Sequence, residues 1–219
     1  MRHTVVVLLF FFVCIFQLNA EGLCFRSYEV NKDYRTSLDI SSEKQYNLED
    51  GFTLSFDLRL RREAHNYGYI MRMAIAEKNK LDLIASSSPE NRHFFLVTSG
   101  EEQLTMPQSG RSSEEGWKQV TISYTKDERI IHLKIGEFEQ SIKVTDTFSF
   151  KGKSKIFFGA NQHPLVATTD VAPMTLRNIR LTTHNKSYHW KLYKHGLKEV
   201  FDENHHLSAK VMYPLWLID

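Results

Sequence analysis

In residues 51–61 the apolar side chains occupy every second position, Phe52, Leu54, Phe56, Leu58 and Leu60, with Thr53, Ser55, Asp57, Arg59 and Arg61 between them. Successive side chains of an extended chain point to opposite faces, so this run predicts a strand with one buried face. After the turn-forming Ala64, His65, Asn66 and Gly68 the pattern returns in Tyr67, Tyr69, Met71, Met73 and Ile75. The two runs predict adjacent strands, and the unbroken period puts both tyrosines on the face of Met71. Further short runs at 81–85, 93–98, 118–124, 130–135, 139–144 and 155–158 follow at roughly the 8–12-residue spacing of sandwiches and barrels. Helical spacing is nowhere sustained over a dozen residues. About ten or eleven strands without crossover helices predict an all-β fold, an antiparallel β-sandwich of two sheets packed face to face.

Residues 159–181, GANQHPLVATTDVAPMTLRNIRL, join a polar loop to a strand-like run. Pro173 holds Ala172 extended and lacks an amide donor, which suits a strand entrance. Thr168, Thr169 and Asp170 carry short oxygens suited to capping nearby amides. Met174, Leu176, Ile179 and Leu181 do not keep one parity, which predicts a bulge near Arg177 and Asn178. The stretch reads first as a structural crossover and second as one wall of a rim site.

Residues 1–20 change the picture of the compartment. Arg2 and His3 precede an apolar run, Val5 to Phe16, and Leu18-Asn19-Ala20 offers a small-residue cleavage point. That run falls short of the about 20 residues needed to cross a hydrocarbon core of roughly 30 Å. It reads as a signal peptide over residues 1–20, leaving 21–219 as a single domain with no membrane span after cleavage. Export to the periplasm, the cell surface or the medium follows. Cys14 lies inside the signal, so Cys24 alone remains and no intrachain disulfide can form; a buried or partly buried thiol is expected. The whole chain has 28 basic and 26 acidic residues, a balance that argues against a nucleic-acid partner.

Three core patterns carry a family resemblance. Phe52-Thr53-Leu54-Ser55-Phe56, then Trp117-Lys118-Gln119-Val120, then Met174 to Leu181 after a Pro-bearing loop resemble, in that order, the concanavalin A-like jelly roll in its laminin-G-like branch. Asp57 stands where that branch often has an aromatic. The likeness covers roughly Leu48 to Leu181. The tail, Tyr188 to Leu192, Val200 to Asp202, Ala209 to Val211 and Pro214 to Asp219, resembles the closing strands of modules in large secreted bacterial proteins. The resemblance implies a carbohydrate- or protein-recognition module, with calcium at the sandwich rim possible in that branch and no cofactor otherwise expected.

The sequence carries no strong catalytic motif. Hydrolases of this fold need two carboxylates on one strand face, and no Glu is followed two residues later by Asp. The adjacent acids Glu49-Asp50, Glu101-Glu102, Glu114-Glu115 and Asp202-Glu203 would point to opposite faces. There is no G-x-S-x-G, P-loop or G-x-G-x-x-G. Asp202-Glu203-Asn204-His205-His206 concentrates metal-ligating types, yet it lacks a C-x-x-C or H-E-x-x-H frame and reads as a turn. An enzyme is therefore not expected. Sugar binding asks for less: an aromatic face, with amides or carboxylates to fix hydroxyls. His65, Asn66 and Tyr67 at the second turn, and Asn161, His163 and Asp170 in the crossover, are the candidates for an extracellular glycan. The alternative is a structural module docking on a neighbouring domain or partner protein. Trp117, Trp190 and Trp216 sit in strand patterns and are expected in the core, and Arg59, Arg61 and Arg62 on a solvated face.

Overall fold

The structure, a computed structural model, describes residues 20–61, 67–76, 78–85, 93–99, 102–106, 116–193 and 198–218. Residues 1–19, where the signal peptide is expected, lie outside them, as do Arg62, His65 and Asn66. In chain order the strands are β1 (Ala20–Cys24), β2 (Ser37–Asp39), β3 (Phe52–Leu60), β4 (Gly68–Ile75), β5 (Asn79–Ala85), β6 (His93–Ser99), β7 (Glu102–Met106), β8 (Lys118–Thr125), β9 (Ile130–Ile135), β10 (Phe138–Lys143), β11 (Ser154–Gly159), β12 (Met174–Thr183), β13 (Ser187–Trp190), β14 (Glu199–Phe201), β15 (Ser208–Met212) and β16 (Leu215–Ile218). One sheet runs β10-β9-β8-β3-β12-β1-β16, with β13 also pairing β12; the other runs β14-β15-β2-β11-β4-β5-β6-β7. Every strand pair is antiparallel.

The alternation of β3 is realised as expected, with Phe52, Leu54, Phe56 and Leu58 buried. They meet Met71, Met73, Ile75, Ile156 and Phe158 of the opposite sheet in one core. Phe56 and Phe158 cross edge to face at 5.1 Å between centroids, a geometry that ring quadrupoles favour. Cys24 is buried on β1. The strand count exceeds the expected ten or eleven in part because β1 and β2 have no two-residue apolar period to announce them. Their extended state comes from their ladder partners: β2, only three residues long, is held between β11 and β15.

The bulge expected near Arg177 and Asn178 is present. Register against β3 shifts between Arg177 and Arg180, and Asn178 adopts a φ of 54°. Asn tolerates that left-handed conformation better than most residues. Its Nδ2 donates to Asp57 Oδ2 at 2.8 Å, its Oδ1 accepts from Tyr193 Oη at 2.9 Å, and Arg177 Nε donates to the same Asp57 oxygen at 3.2 Å. Asp57, unusual at its position in the resembling branch, thus anchors the bulge.

Trp190 is fully buried as expected, but Trp117 is not a core residue. It is half-buried on the outer face of the first sheet, with the Arg177 guanidinium carbon 4.0 Å and that of Arg59 5.0 Å from its ring centroid. The Trp117 ring also passes within 3.2 Å of where a Cβ on Gly22 of β1 would sit. Trp117 precedes β8, so the parity of that strand does not bind it, and Arg59 covers an aromatic ring in addition to facing solvent.

Candidate functional site

The chain leaves β11 at Gly159, whose φ of 69° and close approach to Thr36 O, 2.5 Å from where a Cβ would stand, leave room for no side chain. It then folds into a short hairpin that lies on the outer face of the second sheet. Asn161 and Thr168 exchange both backbone hydrogen bonds at 3.0 Å, and the tip packs Val166 and Leu165 on Ala74 and Phe157. Beneath it, Arg72 of β4 makes a two-pronged ion pair with Asp82 of β5, both bonds 2.8 Å, at 5% and 1% exposure. Arg72 Nη1 also donates to Ala167 O at 3.2 Å, and its guanidinium lies 3.9 Å from the Tyr69 ring centroid. The crossover reading of residues 159–173 therefore holds.

The base of that hairpin helps to form a rim. Tyr69 N donates to Asp170 O at 2.9 Å, and Ala172 N to Tyr69 O at 3.3 Å. Register between β4 and β5 shifts between Tyr69 and Met71; Ile70 and Met71 are both fully buried, while Tyr69 lies under outward-facing Arg72. This is a correction to the sequence pattern, which put Tyr67 and Tyr69 on the face of Met71. Gly68 makes the bulge possible: a Cβ there would stand 2.3 Å from Ala172 N, so the crossover backbone occupies the space a side chain would need.

Tyr67 stands 39% exposed and meets Tyr69 edge to face at 6.5 Å. Beside it Asp170, with a half-exposed side chain, faces Arg35 Nη1 at 3.6 Å and accepts a hydrogen bond from Tyr28 Oη at 3.5 Å. Arg35 stacks on Tyr28 at 4.4 Å and donates to Thr169 O at 2.6 Å. Burial, and after it the Asp170 carboxylate, pushes the Tyr28 phenol up, with Arg35 opposing. Burial does the same for Tyr69, with Arg72 opposing. Both hydroxyls are therefore neutral donors at physiological pH. The site can offer an exposed ring, phenolic donors, a carboxylate and a guanidinium held in place by main-chain bonds.

The sequence candidates divide. Tyr67 and Asp170 come together, whereas His65 and Asn66 fall outside the described residues. Asn161 and His163 do not share the Asp170 rim. Asn161 Oδ1 accepts from His163 N at 3.1 Å within the hairpin, and His163 lies 5.6 Å, ring to ring, from Phe157 toward the other end of β4. Tyr69 and Ala74, which mark those two ends, are five residues apart, about 15 Å along a strand. Asp170 is not the loop cap expected of it: Thr168 Oγ1 accepts from Asp170 N at 3.0 Å, leaving the carboxylate to Arg35 and Tyr28. Tyr28 and Arg35 escape sequence reading because residues 25–36 have no period and no motif.

Asp202 to His206 form a turn, as expected. Asp202 is buried and accepts from His189 N and from His205 N, the latter at 2.6 Å, so its carboxylate is committed to the backbone. Glu203 is held by Lys191 at 2.5 Å and His189 at 2.7 Å. Among the described residues no three His, Cys, Asp or Glu side chains converge as metal ligands.

His163 and His189 carry a pH prediction. Burial holds both imidazoles below the usual histidine value; Lys155 adds to this at His163, and Arg180 adds to it at His189 against the pull of Glu203. A group whose folded pKa is depressed contributes stability above its unfolded pKa and loses it as pH falls. The urea midpoint is expected to drop between pH 7.5 and 5.5, and His189→Asn to flatten that slope; a midpoint that rises on acidification contradicts this.

No family model matches the chain, and no curated protein matches it by sequence. Solved structures do. The native heptameric SAP-like pentraxin of Limulus polyphemus superposes with a TM-score of 0.55 at 9% identity, over 73% of this chain and 74% of that one. Domains LG4-5 of the mouse laminin alpha1 chain give 0.59 at 14% identity over 92% of this chain. A candidate carbohydrate binding protein from Bacteroides ovatus gives 0.57 at 8% identity over 91%. The chain spans 49% of the laminin structure and 60% of the Bacteroides one. At such identities the likeness speaks for architecture, and by it this chain is a concanavalin A-like jelly-roll β-sandwich of the kind found in laminin G domains and pentraxins.

Proposed function

We propose that the chain is an exported, non-catalytic recognition module that binds extracellular carbohydrate on the rim of Tyr28, Arg35, Tyr67 and Asp170. The observation that carries this reading is Tyr67, an exposed ring two residues from the Tyr69 N–H that bonds Asp170 O, together with the half-exposed Asp170 carboxylate that Arg35 and Tyr28 hold in place. A pyranose stacks its C–H face on such a ring while the carboxylate and the phenol fix its hydroxyls. Export rests on the apolar run Val5 to Phe16. Calcium has no part in the binding, because the Arg35 guanidinium already neutralises Asp170.

Affinity electrophoresis of the chain through gels containing neutral polysaccharides tests the reading. Retention is expected, weakened about tenfold by Tyr67→Ala, a loss near the about 1.4 kcal/mol that one stacking contact supplies. Asp170→Ala is expected to weaken it less, and EDTA not at all. No retention on any polysaccharide sinks the proposal. A docking module is the second reading, favoured by the exposed Tyr34 and Tyr213, 5.4 Å apart edge to face, with Met212 exposed next to Tyr213 in the chain.

A further inference from the structure

At the end of β4 away from the rim, the hairpin tip and three neighbouring segments enclose an open cleft of about 1300 Å³. Lys78 enters it from the β4–β5 turn, Lys151 and Lys153 from the approach to β11, Lys155 from β11 and His163 from the tip. Among the described residues no Asp or Glu lines it, and none of the four lysines makes an ion pair. Among the described residues, Asp39 of β2 is a carboxylate that feels Lys155 and is felt by His163. Among the described residues, four ammonium groups in the lining with no acid beside them make a net positive concavity on a chain that is otherwise close to neutral. Low-dielectric walls focus such a field on a bound anion.

The remaining lining narrows the class of anion. Gln45, Asn79, Thr147 and Ser149 add amides and hydroxyls, and the Asn79 amide is fixed by its bond to Ser149 O at 2.8 Å. Ala74, Pro164 and Leu165 supply an apolar wall. Such a mixture suits a ligand that carries anionic groups and hydroxyls on a carbon frame. Single-stranded nucleic acid is served by aromatic platforms for its bases, and among the described residues no Phe, Tyr or Trp lines this cleft. The volume exceeds the about 300–1,000 Å³ of ordinary small-ligand pockets, which favours a chain of several rings over one.

We propose that this lysine-lined cleft is a second binding site, separate from the tyrosine rim, that takes a linear acidic polysaccharide bearing carboxylate or sulfate groups. The lysines pair with the anionic groups as point charges, while the amides and hydroxyls contact the sugar hydroxyls.

The test is affinity electrophoresis in gels containing polygalacturonate, dextran sulfate, neutral dextran or single-stranded DNA, with each mobility normalised to a gel without polymer. The full chain is compared with Lys151→Ser/Lys153→Ser, whose side chains are exposed and whose loss leaves the core untouched, and with Tyr67→Ala. Retention is expected on polygalacturonate, on dextran sulfate or on both, and the responding gel identifies the anionic group. The double lysine variant is expected to weaken it about tenfold, as two partly screened ion pairs allow. Raising NaCl from 50 to 250 mM should weaken it further, and Tyr67→Ala should leave it unchanged. Four results overturn the proposal: no retention on either acidic polymer, retention of Tyr67→Ala on neutral dextran equal to its retention on the acidic polymers, equal or tighter binding of DNA, or retention unmoved by the lysine variant. Polygalacturonate binding lost in Tyr67→Ala but kept in the lysine variant removes the cleft and leaves the rim standing.

Discussion

Asp82→Ala is expected to destabilise the fold by about 3–5 kcal/mol, because it strands the Arg72 guanidinium at 5% exposure without its carboxylate. The pair lies on the outer face of a sheet, where charges ordinarily meet water, and it is buried because the crossover hairpin lies over it. Arg72 holds that hairpin by its bond to Ala167 O. The loss should therefore appear twice: as a lower urea midpoint with little change in slope, and as faster amide exchange in residues 165–168. Replacing both partners, Arg72→Met with Asp82→Leu, is expected to recover most of the stability, since an apolar pair of similar volume leaves no charge behind. A single-variant cost below about 1 kcal/mol, the range of exposed pairs, would mean that the hairpin does not seal this face. Both candidate sites depend on that seal, because one end of the hairpin carries Asp170 and the other carries His163.

Trp190→Ala should cost a similar amount, about 3–5 kcal/mol. Trp190 is fully buried, stacks on Tyr188 at 5.9 Å with rings 15° apart, and pairs with Ile179 across β12. Its Nε1 donates to Leu207 O at 3.3 Å, a carbonyl that also accepts from Asp202 N at 2.9 Å, so the substitution opens a cavity and also removes one of that carbonyl's two donors. Trp190→Phe keeps an aromatic ring while losing the Nε1 bond and part of the volume, and is expected to cost less, about 1–2 kcal/mol. Because Leu207 lies between β14 and β15, the variant also asks whether the tail folds with the rest. One cooperative transition shifted as a whole is expected; a variant that melts residues 188–218 separately would make the tail an appendage.

How far the sequence reaches depends on whether the controlling contact is local. β3 is legible residue by residue because five alternating side chains report two faces of one strand. The bulge at Asn178 is legible too, since Leu176 and Ile179 break parity and Asn accepts the conformation required. The bulge at Ile70 is not. Tyr67, Tyr69, Met71, Met73 and Ile75 alternate without a break, and what shifts them is the backbone of Val171 and Ala172 pressed against Gly68, about a hundred residues away in the chain. That shift places Tyr69 outside and builds the rim.

The candidate residues follow the same rule. Tyr67 and Asp170 could be named because exposed turns and polar loops mark themselves by composition. Tyr28 and Arg35 could not, since they matter only through a partner distant in sequence. Nor could the four lysines, scattered over residues 78–155, be gathered into one cleft before the hairpin closed it.

By itself, then, the sequence determined the all-β class, the strands with a clear period, the crossover at residues 159–173 and one bulge. Each is written in the order of polar and apolar side chains along a single segment. Only the tertiary structure decided which strands are neighbours, which face Tyr69 takes, why Arg72 and Asp82 are buried and where the lysines meet. Those outcomes depend on pairings between segments far apart in the chain, and a hydropathy pattern records which side of a strand is apolar without recording what will cover it.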